Sequence, residues 1–495
     1  MTAKLPTATG SSDATAVERI ESSSRGERRA DWRDELDAVL AEYLDRNDVP
    51  GVALSVFDES ELVHTVALGI ASVEEPKREL TAETCFRVYS VAKPFMGTVA
   101  SLLAESEELD LDAPVDAYLP GFAVSGKRDS GGITLRHLLS HRSGLPHGPR
   151  IVDGAGRPPR PLADYVYSEP KRHPPLAAPG VLFSYSNLGA AVAGHVLERV
   201  TGSPFASIIQ ERLFEPLAMS VTTYDPTVAM THELAQHHLM SSSGRLEIDH
   251  RGRGTTEFEP SSGCFTNIID LARFGMLHLA GGLGPQGRLL PTVAIDRMHM
   301  PLADLHLDVN LRYGTTFYVG PAFRGHDRIF HEGLSDGMWA TLVLAPGERI
   351  GVAWCDNRGH ELGQARYEAL ERALSIVGCG PGEWERGRTT GDSLPDFGRL
   401  VGRYSRGGQG RPVEIEARDR GLRVRVGNHS VPLRPVTPNV WVDASPTSTS
   451  PPPVGALKPH AASGLVSVGF VIDGAGGAAT HVLLNGAGFP RATRD

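Results

Sequence analysis

The sequence predicts an α/β (α+β) protein: a mixed, mainly antiparallel sheet flanked by helices, with a helical subdomain, followed by a small all-β barrel domain. Two observations lead to this fold class. β-rich runs lie at both ends of the first part of the chain with apolar helical patterns between them, and two-residue alternation dominates after residue 397. A chain of 495 residues also has material for two or three domains. The predicted boundaries are a disordered tail over 1–30, a main domain over 31–382, a linker over 383–396 and the β domain over 397–495.

Composition and charge exclude several classes of function. The net charge is −10 and no basic run is interleaved with aromatic residues, so we expect no nucleic-acid partner. No stretch of about 18 apolar residues and no apolar N-terminal segment are found, so we expect no membrane partner and a cytoplasmic location. The cysteines are far apart in sequence and form no C-x-x-C pair, which predicts buried free thiols and neither a metal site nor a disulfide framework. These cysteines are Cys85, Cys264, Cys355 and Cys379.

The main domain is predicted to begin with an amphipathic helix from Trp32 to about Asn47, followed by a hairpin of Val52–Phe57 and Leu62–Leu68. A strand-like run, Cys85–Tyr89, then leads into the apolar helix Val91–Leu103. The later predicted elements are a helix over Thr134–Leu139, a proline-rich loop over Pro158–Pro179, helices over Leu188–Val200, Pro204–Leu213 and Leu271–Leu279, strands over Tyr313–Val319, Ile329–His331, Trp339–Leu344 and Ile350–Cys355, and a helix over Gln364–Leu374. Because strands begin and end this domain, its sheet is predicted to form from both ends, with the last helix packing beside the first.

The C-terminal region has the pattern of a small all-β module, either a sandwich or a barrel. Apolar and polar residues alternate in Val413–Glu416 and Leu422–Val426, and further β-rich runs are Val440–Val442, Leu465–Ile472 and His481–Leu484. Ala444–Pro453, dense in Ser, Thr and Pro, is predicted to be a flexible insertion within this module.

Ser90-Val91-Ala92-Lys93 is the first candidate site, because it places a hydroxyl and an amine one helical turn apart at the start of an apolar helix. Serine is a weak nucleophile, and a lysine can act as its base when desolvation or a neighbouring cation leaves part of the amine neutral. The strand-to-helix junction also offers a backbone N–H to an oxyanion. The S-x-x-K spacing alone occurs by chance in a chain of this size, so a structural role for both residues stays open at this step.

Two further candidate groups follow in chain order. Tyr185-Ser186-Asn187 combines a phenol that can relay a proton to a leaving group with an amide that can orient Lys93 and donate to a substrate carbonyl. The structural alternative is a loop in which Asn187 caps the next helix. His331-Glu332-Gly333 stands at a predicted strand end, where Gly333 would let a ligand approach the backbone and the N–H of Leu334 would complete an oxyanion hole. A purely structural histidine is the alternative there.

Two other motifs are weaker candidates. Gly333–Gly337 fits the G-x-S-x-G of α/β-hydrolases, with Asp356 and His360 following in the required order. A nucleophile elbow must precede a helix, whereas Met338–Leu344 has the pattern of a strand, so this interpretation is disfavoured. The segment His232–His237 approximates the zinc-protease motif, but its histidines are five residues apart and not four, so they leave one helical face. We therefore expect no metal ion and no cofactor.

The order S-x-x-K, Y-x-N, H-x-G resembles the serine β-lactamase and penicillin-binding-protein superfamily, in particular its class C-like branch with D-aminopeptidases, esterases and acyltransferases. The resemblance extends from about Trp32 to Leu374. The segments that carry it are Phe86–Pro94, Leu109–Val115, Tyr118–Pro120, His137–Leu145 and Ser262-Gly263. It implies a β-lactamase/transpeptidase-like fold for the main domain.

The resemblance also implies roles for the motif residues. Ser90 corresponds to the nucleophile and Lys93 to its base, while the tyrosine and asparagine of the second motif correspond to Tyr185 and Asn187. In the mechanism that we expect, the N–H groups of Ser90 and Leu334 hold the oxyanion. Tyr185, assisted by His331, protonates the leaving group, and Asn187 positions the lysine and the acyl chain.

Two departures from the pattern bear on the substrate. His331-Glu332-Gly333 replaces the K-T-G of class C β-lactamases, which argues against efficient binding of a β-lactam carboxylate. Arg142 stands where the H-T-S-G-L pattern has a small hydroxyl residue. An H-x-G third motif resembles the branch that contains D-stereospecific peptidases and the penicillin-binding-protein-type thioesterases of nonribosomal peptide synthesis. Members of that branch often carry a lipocalin-like C-terminal domain, which residues from about Phe397 onward resemble.

These residues predict an enzyme that forms an acyl-enzyme on Ser90 with an ester, an amide or a D-amino-acid-containing peptide as its small-molecule or peptide substrate. The first alternative is a thioesterase that releases or macrocyclises a nonribosomal peptide, in which case a peptidyl carrier protein would be a partner. The second alternative, from another class, is a binding or sensing protein that is acylated once without turnover. Retention of every catalytic group argues against the sensing protein.

Overall fold

The computed structural model describes residues 31–490 apart from 128–129, 149–159, 251–255, 306–310, 324–325, 336, 360–361, 363, 380–398, 405–411, 419–420, 427–428, 438–439, 444–466, 473–478 and 485–486. The predicted tail over 1–30, the linker over 383–396 and the insertion Ala444–Pro453 lie outside the described residues.

The described helices, numbered in chain order, surround a large sheet. They are α1 (Trp32–Asn47), α2 (Ala92–Glu105), α3 (Val115–Tyr118), α4 (Leu135–Leu139), α5 (Leu162–Arg172), α6 (Asn187–Thr201), α7 (Phe205–Ile209), α8 (Pro226–Ala229), α9 (Glu259–Ser262), α10 (Ile268–Leu279), α11 (Thr292–His299) and α12 (Gln364–Ile376). Short 3₁₀ turns cover Tyr89–Val91 and Thr256–Phe258, and a π-helical turn covers Gln210–Phe214.

The strands of the main domain are β1 (Gly51–Asp58), β2 (Leu62–Ser72), β3 (Arg78–Glu79), β4 (Phe86–Arg87), β5 (His238–Met240), β6 (Leu246–Ile248), β7 (Phe265–Thr266), β8 (Leu283–Gly284), β9 (Gly287–Arg288), β10 (Ala303–Asp304), β11 (Arg312–Tyr313), β12 (Tyr318–Phe323), β13 (His326–Ser335), β14 (Met338–Ala345) and β15 (Ile350–Asp356). The C-terminal strands are β16 (Gly402–Tyr404), β17 (Val413–Arg418), β18 (Gly421–Val426), β19 (His429–Thr437), β20 (Val440–Asp443), β21 (Ser467–Ile472), β22 (Ala479–Leu484) and β23 (Ala487–Pro490).

The central sheet has nine strands in the order β10-β11-β12-β13-β14-β15-β1-β2-β3, and each described pairing is antiparallel. β1 pairs with β15, so the first and last strands of the domain meet in the middle of the sheet, as predicted. One apolar cluster joins the sheet to α1 and α12, and a larger one joins it to α2, α6 and α10. Together with the helical region between β4 and β7, this confirms the predicted mixed fold of the main domain.

The first and last helices confirm their predicted packing. Leu36, Leu40 and Tyr43 on α1 are buried in the same cluster as Leu370 and Ala373 on α12. Both helices present an apolar stripe because their buried residues recur every three or four positions. They therefore cover one face of the sheet, opposite the face that contacts the Ser90 turn.

Three sequence predictions of elements were wrong. The proline-rich segment contains helix α5 and is not a continuous loop, because Leu162, Tyr165 and Val166 form a buried face that begins directly after Pro161. The predicted strand Tyr313–Val319 is a tight hairpin between β11 and β12, where Thr316 has a φ of 60°. His331 lies in the middle of β13, not at a strand end, because β14 pairs with it as far as Ser335.

The C-terminal strands pair in sequence order from β16 to β23 as an antiparallel meander. A small apolar core that includes Leu400, Tyr404 and Val482 lies against it. The all-β character of this region matches the prediction, while closure of the meander into a barrel, the lipocalin-like identity and the domain boundaries stay predictions. His481 on β22 contacts the main domain, since its Nε2 lies 2.9 Å from the carbonyl oxygen of Leu176.

The cysteines are free and buried, as predicted for structural thiols. Burial raises the pKa of Cys85 to about 12, which keeps this thiol protonated and unreactive at neutral pH. Among the described helices, none is both long enough and apolar enough to cross a membrane.

Candidate active site

The Ser90 turn lies between a short paired strand and a helix. β4 pairs with β7, with Phe86 opposite Thr266, and delivers the chain into the 3₁₀ turn Tyr89–Val91 that precedes α2. Tyr89 has a φ of 46°, which is costly for a bulky side chain. Its hydroxyl lies 2.6 Å from Nε2 of His237. This hydrogen bond stabilises the strained turn without involving the Ser90 side chain.

Lys93 is a buried base candidate in direct contact with the nucleophile. Its side chain is 1% exposed, and its Nζ lies 3.2 Å from the Oγ of Ser90. The Nζ also donates to the carbonyl oxygen of Ser261, at 2.8 Å. A carbonyl can only accept, so this bond takes one N–H of the amine. The S-x-x-K pair is therefore assembled as a nucleophile beside an amine.

Tyr185 completes a three-residue cluster with Ser90 and Lys93. The Lys93 Nζ lies 4.8 Å from the centre of the half-buried Tyr185 ring, and the phenol interacts with the side chain of Ser90. Desolvation by burial raises the pKa of Tyr185, the interaction with Ser90 opposes that rise, and the Glu332 carboxylate adds to it. The hydroxyl is consequently protonated at neutral pH and can supply a proton to a leaving group.

Asn187 begins helix α6 beside a histidine that the sequence analysis had not assigned. Its Nδ2 lies 3.3 Å from Nε2 of His147, whereas its Oδ1 is buried and has no hydrogen-bond partner among the described residues. The cap of α6 is Ser186, whose Oγ accepts from the N–H of Gly189, so Asn187 is not used as the cap. The predicted contact of Asn187 with Lys93 stays a prediction, because its amide is bonded to His147 in this structure.

His141 binds the backbone of the second motif and packs against Tyr185. Its Nδ1 accepts from the N–H of Ser186, at 3.1 Å, and its ring centre lies 4.2 Å from that of Tyr185. Burial lowers the pKa of His141 far below its usual value, and the positive charges of Lys93 and of His331 and His147 when protonated act in the same direction. The imidazole is therefore neutral, with its proton on Nε2.

His331 lies close to Tyr185 but is bonded to another tyrosine. The ring centres of His331 and Tyr185 are 6.4 Å apart, while the Nε2 of His331 is 3.2 Å from the hydroxyl of Tyr313. Its Nδ1 lies 2.8 Å from the carbonyl oxygen of Glu332, which can only accept, so Nδ1 carries a proton and Nε2 accepts from Tyr313 when the ring is neutral. Burial raises the pKa of Tyr313, so this phenol remains a donor.

Gly333 brings strand β13 against the nucleophile turn. An ideal Cβ on Gly333 would lie 1.9 Å from the carbonyl oxygen of Val88 and 2.8 Å from the nitrogen of Ser90. The close approach that glycine permits is therefore made by the protein's own backbone, which corrects the expectation that a ligand makes it. Leu334 follows directly on β13, so its backbone lies beside the same turn. Its N–H as an oxyanion donor stays a prediction.

The structure brings all the predicted site residues to one place, and it adds others. The carbonyl of Ser261 has no signature of its own in the sequence, although its neighbours Ser262-Gly263 belong to the motif that indicated the resemblance. His141 lies within another such motif, whereas His147 follows three residues after Gly144 without a recognisable pattern. Arg142, the departure from H-T-S-G-L, binds the carbonyl oxygen of Gly180 at 2.5 Å and so stabilises a loop without entering the cluster.

Two weaker motifs are resolved by the fold. Ser335 ends β13 and is followed by strand β14, which confirms the predicted strand in place of the helix that a nucleophile elbow needs. His232–His237 does not form a helix, and His237 binds Tyr89. Across the part of the chain that the structure describes, no group of three or more metal-ligating side chains is found.

Comparison with known proteins agrees with this geometry. Residues 36–375 match the model of the Beta-lactamase family. The chain belongs to this family. Its members share a serine-hydrolase site on the β-lactamase fold, and the Ser90, Lys93 and Tyr185 cluster occupies the matched region.

Individual relatives and structures of the Beta-lactamase family extend the comparison. Penicillin-binding protein 4 of Amycolatopsis lactamdurans is 30% identical over 341 residues, which are 67% of this chain and 85% of the relative. The unguisins hydrolase ungD' of Aspergillus campestris is 26% identical over 369 residues, 70% of this chain and 66% of the relative. The crystal structure of SurE covers 93% of this chain and 99% of its own, with 23% identity and a TM-score of 0.73. That superposition shows a shared fold that extends beyond the family match.

Proposed function

We propose that this protein is a serine hydrolase or acyltransferase that forms an acyl-enzyme on Ser90 from an ester, an amide or a D-amino-acid-containing peptide. The observation that carries the proposal is the contact of Lys93 Nζ with the Ser90 hydroxyl at 3.2 Å, with the Tyr185 ring centre 4.8 Å from the same nitrogen. The relatives named as a penicillin-binding protein and an unguisins hydrolase support hydrolysis as the class of reaction.

The acylation step follows from these contacts. Neutral Lys93 takes the hydroxyl proton as Ser90 Oγ attacks the substrate carbonyl, and the N–H groups of Ser90 and Leu334 bind the oxyanion. Tyr185 then gives its proton to the leaving group and receives one from the protonated Lys93. The atoms balance, because the serine proton leaves with the alcohol or amine, and the acyl group remains on Oγ.

The second step reverses these proton transfers with water or an amine as the acceptor. Tyr185 takes a proton from the acceptor as it passes its own proton to neutral Lys93, and Lys93 then gives a proton to Oγ of Ser90, which leaves the tetrahedral intermediate. His331 assists through the aromatic cluster in which it bonds Tyr313 and lies beside Tyr185. The acceptor decides whether the product is an acid or a new amide.

The third motif argues against β-lactam substrates. His331 takes the place of the K-T-G lysine and is tied to Tyr313 and to the backbone of Glu332. An imidazole whose two nitrogens contact the Tyr313 hydroxyl and the Glu332 carbonyl does not extend a charged amine toward a substrate carboxylate as a lysine would. Esters and neutral peptide groups therefore fit this site better than a carboxylate-bearing β-lactam.

Labelling with an acylating probe tests the assignment of Ser90. Incubation with a p-nitrophenyl ester should add one acyl group to the wild-type protein in intact-mass spectra, and Ser90→Ala should abolish that adduct and lower kcat/KM by about 10³-fold or more. Ser335→Ala is the matched control, since it removes the serine of the rival G-x-S-x-G motif. Labelling that survives in Ser90→Ala, or is lost in Ser335→Ala, contradicts the proposal. Release of the adduct within minutes distinguishes turnover from a sensing protein.

A second candidate function is transfer of a peptidyl thioester to the peptide's own amine, with a peptidyl carrier protein as the partner. The observation that favours it is the contact of His481 on the C-terminal sheet with Leu176, which precedes Tyr185 on the same loop. A module at the edge of the site extends the surface available to a long acyl chain.

A further inference from the structure

A connecting segment lies beside the chain that leads to Ser90. Residues 233–237 belong to the connection between α8 and β5. The N–H of Cys85 donates to the carbonyl oxygen of Glu233 at 2.7 Å, and the N–H of Ala235 donates to the carbonyl oxygen of Cys85 at 2.9 Å. The connecting segment is therefore fixed by backbone hydrogen bonds to the residue that precedes β4 and the nucleophile turn.

His237, at the end of this segment, contacts the residue that precedes the nucleophile. Its Nε2 lies 2.6 Å from the Tyr89 hydroxyl, and the two rings meet edge to face with 5.8 Å between their centres. Tyr89 has a φ of 46°, a conformation that a bulky residue keeps only where its surroundings hold it. The Ser90 N–H belongs to the planar peptide unit that joins Tyr89 to Ser90, so the backbone conformation of Tyr89 sets the direction of that N–H.

The same histidine contacts the turn that follows the third motif. This turn joins β13 to β14 and contains Gly337, whose φ is 88°. A Cβ added to Gly337 would lie 2.7 Å from the Cβ of His237, and the N–H of His238 donates to the carbonyl oxygen of Gly337 at 3.2 Å. Leu334, whose N–H is the other predicted oxyanion donor, lies three residues before this glycine. The end of β13 is therefore held against the segment that also holds Tyr89.

Both contacts of His237 bear on the geometry of the oxyanion hole. Its two N–H groups must lie about 2.7–3.1 Å from the position that the oxyanion will occupy, so their separation has to be fixed before the reaction. One N–H directly follows Tyr89, and the other lies on β13 just before the Gly337 turn. A side chain in contact with both chain segments is placed to fix that separation.

We propose that His237 is a positioning residue that sets the separation of the Ser90 and Leu334 N–H groups by holding Tyr89 on one side and the Gly337 turn on the other. This inference rests on the proposed acylation of Ser90 and on the oxyanion donors named with it. The two N–H groups stabilise charge that develops on the substrate oxygen in the transition state. Loss of their alignment therefore slows acylation and has little effect on substrate binding.

Single-turnover acylation by p-nitrophenyl acetate, with the enzyme in excess, separates these two effects. In His237→Leu the limiting rate of p-nitrophenol release should fall by about ten-fold or more, while the half-saturating concentration stays within about two-fold of wild type. His237→Gln keeps a polar group within reach of the Tyr89 hydroxyl and should bring the limiting rate back to within about three-fold of wild type.

A double-mutant cycle tests whether His237 acts through Tyr89. Tyr89→Phe keeps the ring and removes the hydroxyl, so it should lower the limiting rate about as much as His237→Leu. The combined variant should lie within about two-fold of the slower single variant, because both substitutions remove the same hydrogen bond. His250→Leu is the matched control, since His250 is an exposed histidine paired with Glu74, and its rate should equal that of wild type.

Failure of this inference differs from failure of the proposed function. Limiting rates near wild type in both His237→Leu and Tyr89→Phe, or losses that multiply in the combined variant, overturn the inference while Ser90-dependent labelling stays intact. Labelling of wild type that persists in Ser90→Ala overturns the proposed function, and the inference with it. If His237→Leu does not fold, Tyr89→Phe decides, and a rate near wild type in that variant overturns the inference.

Discussion

Gly333 is needed in the candidate site because no side chain would fit at this position. The atoms that an added Cβ would meet are the carbonyl oxygen of Val88 at 1.9 Å and the nitrogen of Ser90 at 2.8 Å. Both belong to backbone, which cannot rotate aside as a flexible side chain can. Glycine at this position therefore determines how closely β13 approaches the nucleophile, and with it where the Leu334 N–H lies relative to the Ser90 N–H.

Substitution of this glycine should damage activity more than stability. In Gly333→Ala the added methyl must push β13 and the Ser90 turn apart, at a cost of about 1–3 kcal/mol for an overpacked site. A displacement of about 1 Å between nucleophile and oxyanion donors should lower kcat by about 10²-fold. Urea unfolding and ester hydrolysis measure the two effects.

The control for Gly333→Ala is a glycine whose nearest neighbouring atom belongs to a flexible side chain. In Gly284→Ala the nearest atom to the new methyl is the end of the Leu217 side chain, at 3.0 Å, which can shift. Its kcat should stay within about two-fold of wild type. Equal losses of kcat in the two variants would show that the approach of Gly333 to Ser90 does not matter for catalysis.

At the scale of elements, the sequence predicted helices and strands correctly wherever one apolar periodicity dominated the segment. Helices α1 and α12 and strands β14 and β15 follow their apolar patterns, and Gly202, with a φ of 72°, ends α6 close to the predicted boundary. Helix α5 was missed because the prolines around it indicate loops, although Pro161 stands just before the helix and Pro170 near its end, where they interrupt few hydrogen bonds.

The candidate site divides in the same way. Ser90, Lys93 and Tyr185 could be predicted because their chemistry needs those side chains at recognisable spacing. The contribution of Ser261 is a backbone carbonyl, which any residue possesses, and that of His147 depends on a loop bringing it to Asn187. Long-range contacts of this kind leave no local periodicity, so only the folded structure reveals them.

Strand β5 joins two parts of the sheet through a buried histidine. His238 is fully buried, its Nδ1 donates to the carbonyl oxygen of Asn357 at 2.9 Å, and its Nε2 accepts from the N–H of Val73 at 3.2 Å. Burial lowers the pKa of His238 from 6.5 to about 4, aided by the charge of Arg358. The bond from Val73 requires an unprotonated Nε2, so protonation of the ring would break it, whereas the bond to Asn357 would persist.

This histidine should make the protein less stable in acid. The folded-state pKa lies below the unfolded one, so the stabilisation is complete above pH 6.5 and is lost as the pH falls toward 4. Between pH 7.5 and pH 5 the loss from His238 should be about 2 kcal/mol in the free energy of unfolding. Urea unfolding at both pH values should show a flatter pH dependence for His238→Gln than for wild type. His250→Gln, at an exposed site, should keep the wild-type dependence, and an equal slope in all three proteins would contradict the assignment.

At the scale of the whole molecule, the loop between α5 and α6 contacts the C-terminal sheet and leads into the second motif. Leu176 donates its N–H to the carbonyl oxygen of Gly144 and accepts from His481 on the C-terminal sheet. Further along, the N–H of Ser184 donates to the carbonyl oxygen of His141, directly before Tyr185. The C-terminal sheet therefore contacts the segment that leads into the second motif.

The contact of His481 should matter for long acyl donors and not for short ones. In His481→Leu the Leu176 carbonyl loses a hydrogen bond, which weakens the junction by about 1 kcal/mol. Turnover of p-nitrophenyl acetate should stay within about two-fold of wild type, while release of a linear peptidyl thioester should fall by about five-fold or more. Mass spectrometry of the peptide products also separates the two candidate functions, since a hydrolase gives the linear acid and a cyclising thioesterase gives the macrocycle. Arg423→Ala, on the exposed side of β18, is the control. Equal effects of His481→Leu on both substrates would show that the C-terminal sheet stabilises the fold without shaping the site.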